Sequence, residues 1–231
     1  MIFNLMITLV VKRKKNAIFE YYSMKINIIL PPANGTADEI RAMYRLSNGL
    51  AERRHRITIY HAMQLSGFER IKARLFQHIL RQKRRLNSKM IKLHENITVL
   101  EVIDISNDLI NDATFALFTG YAIANDVFLL GPSKGIKINF VLKPEWLDLE
   151  VSEKVFESIR MPIVQVVADL NLKDEVVKHF GGEPEVISIN ADGADDQISN
   201  IDGAVKDLEG LFNSKLTYLQ RLQTIDFHDA S

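Results

Sequence analysis

The sequence predicts an α/β fold: a doubly wound, mostly parallel, Rossmann-like sheet of about seven strands flanked by helices. Short runs rich in Ile, Val and Phe recur along the chain, as in strands buried on both faces. Segments with the apolar spacing of amphipathic helices stand between these runs. Strands that alternate with helices join through right-handed crossovers into a parallel sheet. With 231 residues, 47% of them hydrophobic, the chain has enough apolar material for a sizeable core.

The first clear unit occupies residues 24–60. A strand is predicted at Lys25–Leu30, a helix from Asp38 and a second strand at Ile57–Tyr60. Ligands of open parallel sheets bind beyond the carboxyl ends of the strands, and a glycine there lets backbone N–H groups approach a phosphate. The turn after the first strand is therefore a candidate phosphate-binding loop, formed by Asn34, Gly35 and Thr36. A plain turn remains the alternative, because the spaced glycines of dinucleotide sites and the Gly-Lys-Ser/Thr of P-loops are absent.

Five more strands are predicted, at Ile97–Ile105, 112–120, Ile136–Leu142, Ile163–Ala168 and Val186–Asn190. Helices are predicted at Tyr121–Leu129, from Ser152, at Leu172–Phe180 and over residues 204–223. Polar and aromatic side chains follow two of these strands and are expected to line a cleft, namely Thr119, Tyr121 and Glu145. Glu145 suits a base or a hydroxyl ligand, and equally a helix cap or a surface acid.

Charge is distributed unevenly, although the net charge is zero. Residues 70–92 contain nine Lys or Arg and no acid, and the spacing predicts an amphipathic helix over 64–92 with a cationic face of Arg70, Arg74, Arg81, Arg84 and Arg85. This helix is either an ordinary solvated helix or a surface for anionic lipid head groups or an acidic partner. Nucleic acid is not expected, because no aromatic residues alternate with the charges for base stacking.

The remaining features predict no cofactor and no metal site. The chain has no Cys, and its six His do not pair at metal-ligand spacings. Residues 1–23 are expected to be an N-terminal extension, 24–196 the Rossmann-like domain and 197–231 an acidic linker with a helical tail. The apolar run at the start is too short to span a bilayer, and its charges follow it, unlike those of a signal peptide. A cytoplasmic location is expected, with peripheral membrane contact left open.

Four segments resemble the amino-terminal half of glycosyltransferases of the two-domain GT-B architecture, especially family 4 and rhamnosyltransferase-like members. They are MKINIILPPANGTADEIRAMYRLSNGLAERRHRITIYH at 24–61, DATFALFTGYAIAN at 112–125, GIKINFVLKPEW at 135–146 and residues 163–195. The chain departs from that pattern in having only Gly35 where paired glycines are usual, and Arg54-His55 where Gly-His is usual.

The resemblance implies a domain that binds the acceptor side of a sugar-transfer reaction, at or near a membrane surface. Gly35 would face the donor phosphates, and Thr119, Tyr121 and Glu145 the hydroxyl acceptor. The family's second domain holds the nucleotide-sugar and supplies two glutamates, whereas only about 35 residues follow Asp196 here. If the chain is active, the resemblance implies a nucleotide-sugar and a hydroxyl acceptor as partners, with a separate donor-binding chain as one possibility, and no catalytic residue is assigned. The alternatives are a non-catalytic Rossmann-like module that binds anionic partners through the basic helix, and a truncated remnant.

Overall fold

A computed structural model describes residues 23–32, 37–63, 84–85, 91–144, 152–188 and 199–226. The strands are β1 (Lys25–Leu30), β2 (Arg56–Ala62), β3 (Arg84–Arg85), β4 (Ile97–Val102), β5 (Phe115–Thr119), β6 (Ile136–Val141), β7 (Val164–Val167) and β8 (Glu185–Val186). The α-helices are α1 (Ala37–Glu52), α2 (Tyr121–Phe128), α3 (Ser152–Arg160), α4 (Leu170–Phe180) and α5 (Ser199–Asp226). A short 3-10 helix covers Pro132–Lys134.

The strands form one sheet in the order β3-β4-β2-β1-β5-β6-β7-β8. Seven strands are parallel, and β3 alone pairs antiparallel, with β4. The chain leaves the central β1 towards β2 on one side and returns to β5 on the other. This order confirms the predicted α/β, doubly wound, Rossmann-like sheet.

Both faces of the sheet are covered, which explains why β5 is apolar up to Thr119 and has every residue buried. Successive strand residues point to opposite faces. Phe115 belongs to the same hydrophobic cluster as α1 and α5, whereas Phe118 packs with Ile123 and Val127 of α2. Helices on both faces are what a doubly wound sheet requires.

Helix α5 is part of this core. Its inward side chains are buried against the sheet and α1, namely Ala204, Val205, Leu208, Leu211 and Phe212. The Phe212 ring stacks on Phe115 with 4.0 Å between centroids. A Cβ atom at Gly49 of α1 would lie 2.7 Å from Val205 Cγ2, so glycine permits the close approach of the two helices. Sequence analysis assigned this helix to a tail after residue 197, whereas in the structure it packs on the central strands.

A buried histidine connects α5 to the beginning of the fold. The Met24 backbone N–H donates to His55 Nδ1 at 3.1 Å, which places the proton of the neutral ring on Nε2. That nitrogen donates to Glu209 Oε1 at 3.0 Å, while Arg53 Nη1 donates to Glu209 Oε2 at 2.8 Å. One carboxylate of α5 therefore binds two side chains at the end of α1.

The helix predicted over 64–92 is wrong at its carboxyl-terminal end. Arg84 and Arg85 form β3, whose register places them opposite Glu101 and Leu100 of β4. Residues 91–96 are also not helical. The outer edge of β4 offers unpaired backbone groups, and this pairing prevails over the local amphipathic spacing. Residues 64–83 and 86–90, which include Arg70, Arg74 and Arg81, lie outside the described part of the chain. Among the helices that the structure describes, none is both long and apolar enough to cross a bilayer.

Candidate binding cleft

The strand order reverses between β1 and β5, and a binding cleft is expected at the carboxyl edge of the sheet at this point. The connections after these two strands turn to opposite faces, and the gap between them is where open α/β sheets bind ligands. Pro31 follows β1 and Gly120 follows β5. A Cβ atom at Gly120 would lie 3.6 Å from Pro31 Cγ, and Gly120 has a φ of 91°, a conformation that favours glycine.

A histidine and a tyrosine lie buried beside this cleft. His61 Nε2 and the Tyr44 hydroxyl are 2.7 Å apart, and His61 Nδ1 lies 3.4 Å from the Pro31 carbonyl oxygen. A proton on Nδ1 satisfies both contacts, because Nδ1 then faces the carbonyl and Nε2 accepts from the hydroxyl. Burial lowers the pKa of His61 below its ordinary 6.5, so the ring is neutral near pH 7. His61 thus contacts both Tyr44 and the Pro31 carbonyl, and the side chains of Tyr44 and His61 are buried.

An ion pair links α1 to the segment after β6. Lys143 Nζ lies 2.9 Å from Glu39 Oε1, in the first turn of α1. The Glu39 side chain is 10% exposed and that of Lys143 is 42% exposed. Because β5 lies between β1 and β6, the pair spans the carboxyl end of β5. Both charges of the pair therefore lie at the carboxyl edge of the sheet.

Thr119 and Tyr121, which the sequence places at this edge, are both found there. Thr119 is 2% exposed, and its hydroxyl donates to the Phe140 carbonyl at 2.9 Å, so it fastens β5 to β6. Tyr121 is the first residue of α2 and packs partly buried against the main core. Four other predicted site residues lie outside the described part of the chain, namely Asn34, Gly35, Thr36 and Glu145.

Sequence analysis missed the contact of Tyr44 with His61 and that of Glu39 with Lys143. Each joins residues that are distant in the chain, and the only sequence signal was the position of His61 directly after the predicted strand Ile57–Tyr60. Among the described residues, no three His, Asp or Glu side chains are grouped as metal ligands.

Comparison with known proteins adds little to this description. No family model matches the chain, and no curated protein matches it. One solved structure similar to this chain is an alpha-glucosyltransferase in complex with UDP and a 13-mer DNA containing a central A:G mismatch. The sequences are 14% identical and the TM-score is 0.41; the match covers 64% of this chain and 38% of the other, so this chain spans less than half of that protein's length. This similarity is too low to support an inference about activity.

The strand order defines the class of protein directly. The chain has a Rossmann-like α/β fold whose strand order reverses between β1 and β5.

Proposed function

We propose that this chain is a glycosyltransferase-type domain that binds the hydroxyl acceptor of a sugar-transfer reaction. The observation that carries the proposal is the reversal of strand order between β1 and β5, with Pro31 after the one strand and Gly120 and Tyr121 after the other. The resemblance of residues 24–196 to GT-B amino-terminal halves supplies the reaction class. The finer assignment to family 4 or rhamnosyltransferase-like members stays a prediction.

In this proposal Tyr121 is the residue that meets the acceptor, because it begins α2 at the cleft. Tyrosine is a residue type that suits a sugar, because an aromatic ring packs on the apolar face of a sugar and a phenol can hydrogen-bond to it. Thr119 acts through its backbone, since its hydroxyl is bound to Phe140. Lys143 and Glu39 form an ion pair at the same edge of the sheet. Glu145 keeps its proposed place beside the acceptor.

In this proposal a donor-binding partner supplies the nucleotide-sugar and completes the site. Transfer then joins the acceptor oxygen to the anomeric carbon, while the nucleoside diphosphate leaves with the bonding electrons and a base takes the hydroxyl proton. The acceptor-side residues contribute orientation, which lowers the barrier by holding the attacking hydroxyl in line. The phosphate contact at Asn34, Gly35 and Thr36 belongs to this proposal.

Calorimetric titration of the chain tests the proposal, with a panel of oligosaccharide acceptors, nucleotide-sugars and nucleoside diphosphates. We expect saturable binding of an acceptor sugar and a loss of about two- to tenfold in affinity for Tyr121→Ala, because stacking on an aromatic ring contributes about 0.5–1.5 kcal/mol. Tyr218→Ala is the matched control, since Tyr218 is 60% exposed on α5. No binding of any acceptor sugar, or equal effects of the two variants, would refute the acceptor site. Tight nucleotide-sugar binding by the chain alone would refute the need for a second chain.

The basic segment 70–92 favours a second candidate function, a module that binds an anionic membrane surface or acidic partner. Its nine cations occur without one acid. Arg74→Glu combined with Arg81→Glu should then abolish sedimentation with vesicles containing phosphatidylserine, while Tyr121→Ala leaves it unchanged. Binding that persists at high salt would contradict the electrostatic account.

A further inference from the structure

A cavity lies at the amino edge of the sheet, opposite to the carboxyl edge at which the acceptor site is proposed. It has a volume of about 860 Å³ and is lined by the first residues of three neighbouring strands, Ile136, Val164 and Glu185. The end of α4 and the following Gly181-Gly182 complete its border. Cavities of about 300–1,000 Å³ are the size that small-molecule ligands occupy.

The walls of this cavity are mainly apolar. Ile159, Met161, Ile163 and Phe180 line it together with buried Val176. Exposed residues also line it, including Pro162 and Glu183, so the cavity is open to solvent. A Cβ atom at Gly181 or Gly182 would have no neighbour within 4 Å, which leaves room on that side. An apolar body could therefore enter and lose contact with water on several sides.

Lys137 provides a cation in this apolar setting. It is the second residue of β6, it is half-buried, and its Nζ donates to the Gly131 carbonyl at 3.1 Å. Within the described residues no carboxylate forms an ion pair with Lys137, whereas Lys215, which also lines the cavity, lies 3.7 Å from Glu185. Burial lowers the pKa of Lys137, because the charged form loses hydration that one carbonyl replaces only in part. An anion bound beside Nζ would offset that loss.

We propose that this cavity is a binding site for a small, largely apolar molecule with a single anionic head group, which pairs with the Lys137 ammonium. The apolar body lies along Ile163 and Met161, and the head group of carboxylate or sulfonate type lies at Lys137. The cavity and the cleft are at opposite ends of the strands, so this site does not depend on the acceptor site.

Two fluorescent probes with the same aromatic body separate the two parts of the proposal. 1-Anilinonaphthalene-8-sulfonate has the sulfonate, and N-phenyl-1-naphthylamine lacks it. We expect the full chain to bind the sulfonate probe saturably. Lys137→Met should weaken that binding by about tenfold or more, because it removes a charge-assisted hydrogen bond. The same substitution should leave the neutral probe unaffected, since methionine keeps the apolar stem.

Two control variants make the result specific. Lys137→Arg keeps the charge and should keep the sulfonate affinity close to that of the unchanged chain. Lys154→Met removes an exposed cation from α3 outside the cavity and should change neither probe. Near-ultraviolet circular dichroism of each variant verifies that tertiary packing is retained. Absence of saturable sulfonate binding, equal affinities of Lys137→Met and the unchanged chain, or an equal loss in Lys154→Met would each overturn the proposal.

Discussion

Replacing Phe212 by alanine should remove a large part of the stability of the protein. The ring is fully buried and stacks at 4.0 Å on Phe115, which is also fully buried. Truncation of such a ring costs about 3–5 kcal/mol, and the stacked pair places this case near 4 kcal/mol. Domains of this kind have about 5–15 kcal/mol of stability in total, so the loss is a large fraction. At about 2–4 °C per kcal/mol, Tm should fall by about 8–16 °C.

Urea titration followed by circular dichroism measures this change, and Tyr218→Ala is the control on the same helix. Tyr218 is 60% exposed, so its truncation should cost less than about 0.5 kcal/mol. Equal losses in the two variants would refute the packing of α5 on the sheet. Limited proteolysis gives an independent reading, because a helix outside the core would be cleaved early beyond residue 196 while the sheet stays protected. We expect protection of the buried part of α5 instead.

Three further predictions concern single contacts, each measured by urea titration. Burial lowers the pKa of His61 below 6.5, so the unfolded chain binds the proton more readily than the folded chain. Stability is therefore greatest above pH 6.5 and falls as the pH falls below it, a slope that His61→Gln should reduce; an unchanged slope in this variant would contradict the reasoning. Glu209→Ala should cost about 1–3 kcal/mol, because two donors at the end of α1 lose their acceptor, and a loss below about 0.5 kcal/mol would contradict this network. Gly135→Ala should lower the free energy of unfolding by about 2 kcal/mol or more, since the φ of Gly135 is 102° and the new Cβ would lie 2.7 Å from the main chain of β5. Gly210→Ala should raise it by about 0.5–1 kcal/mol, because Gly210 lies inside α5 and its Cβ would have no neighbour within 4 Å. Equal effects of the two variants would contradict the reasoning.

The elements of the sheet could largely be predicted from the sequence, because strands covered on both faces must be apolar throughout. Lys25–Leu30 has the predicted bounds, and β5 and β6 lie within their predicted runs. The position of Thr119 and Tyr121 at one edge also follows, since parallel strands end together. These inferences use only local spacing and a rule of topology.

Contacts between distant residues could not be predicted in the same way. The spacing of Leu208, Leu211 and Phe212 indicates a helix with an apolar face, but spacing alone does not say which surface covers it. Arg84 and Arg85 follow a helical pattern, yet they form β3 because they pair with the outer edge of β4. The hydroxyl of Thr119 is directed by the carbonyl of Phe140, and a sequence does not show that neighbour.

The short strands at the two borders of the sheet affect how the protein meets other copies of itself. β3 and β8, the outermost strands among the described residues, each contain two residues. A long, flat outer strand is a template on which another chain can add by backbone hydrogen bonds, the first step of β-aggregation. Borders of two residues offer such a chain little to pair with, although the strands inside are apolar enough to aggregate if exposed. Outer strands as short as these therefore limit how far a further strand could pair with them.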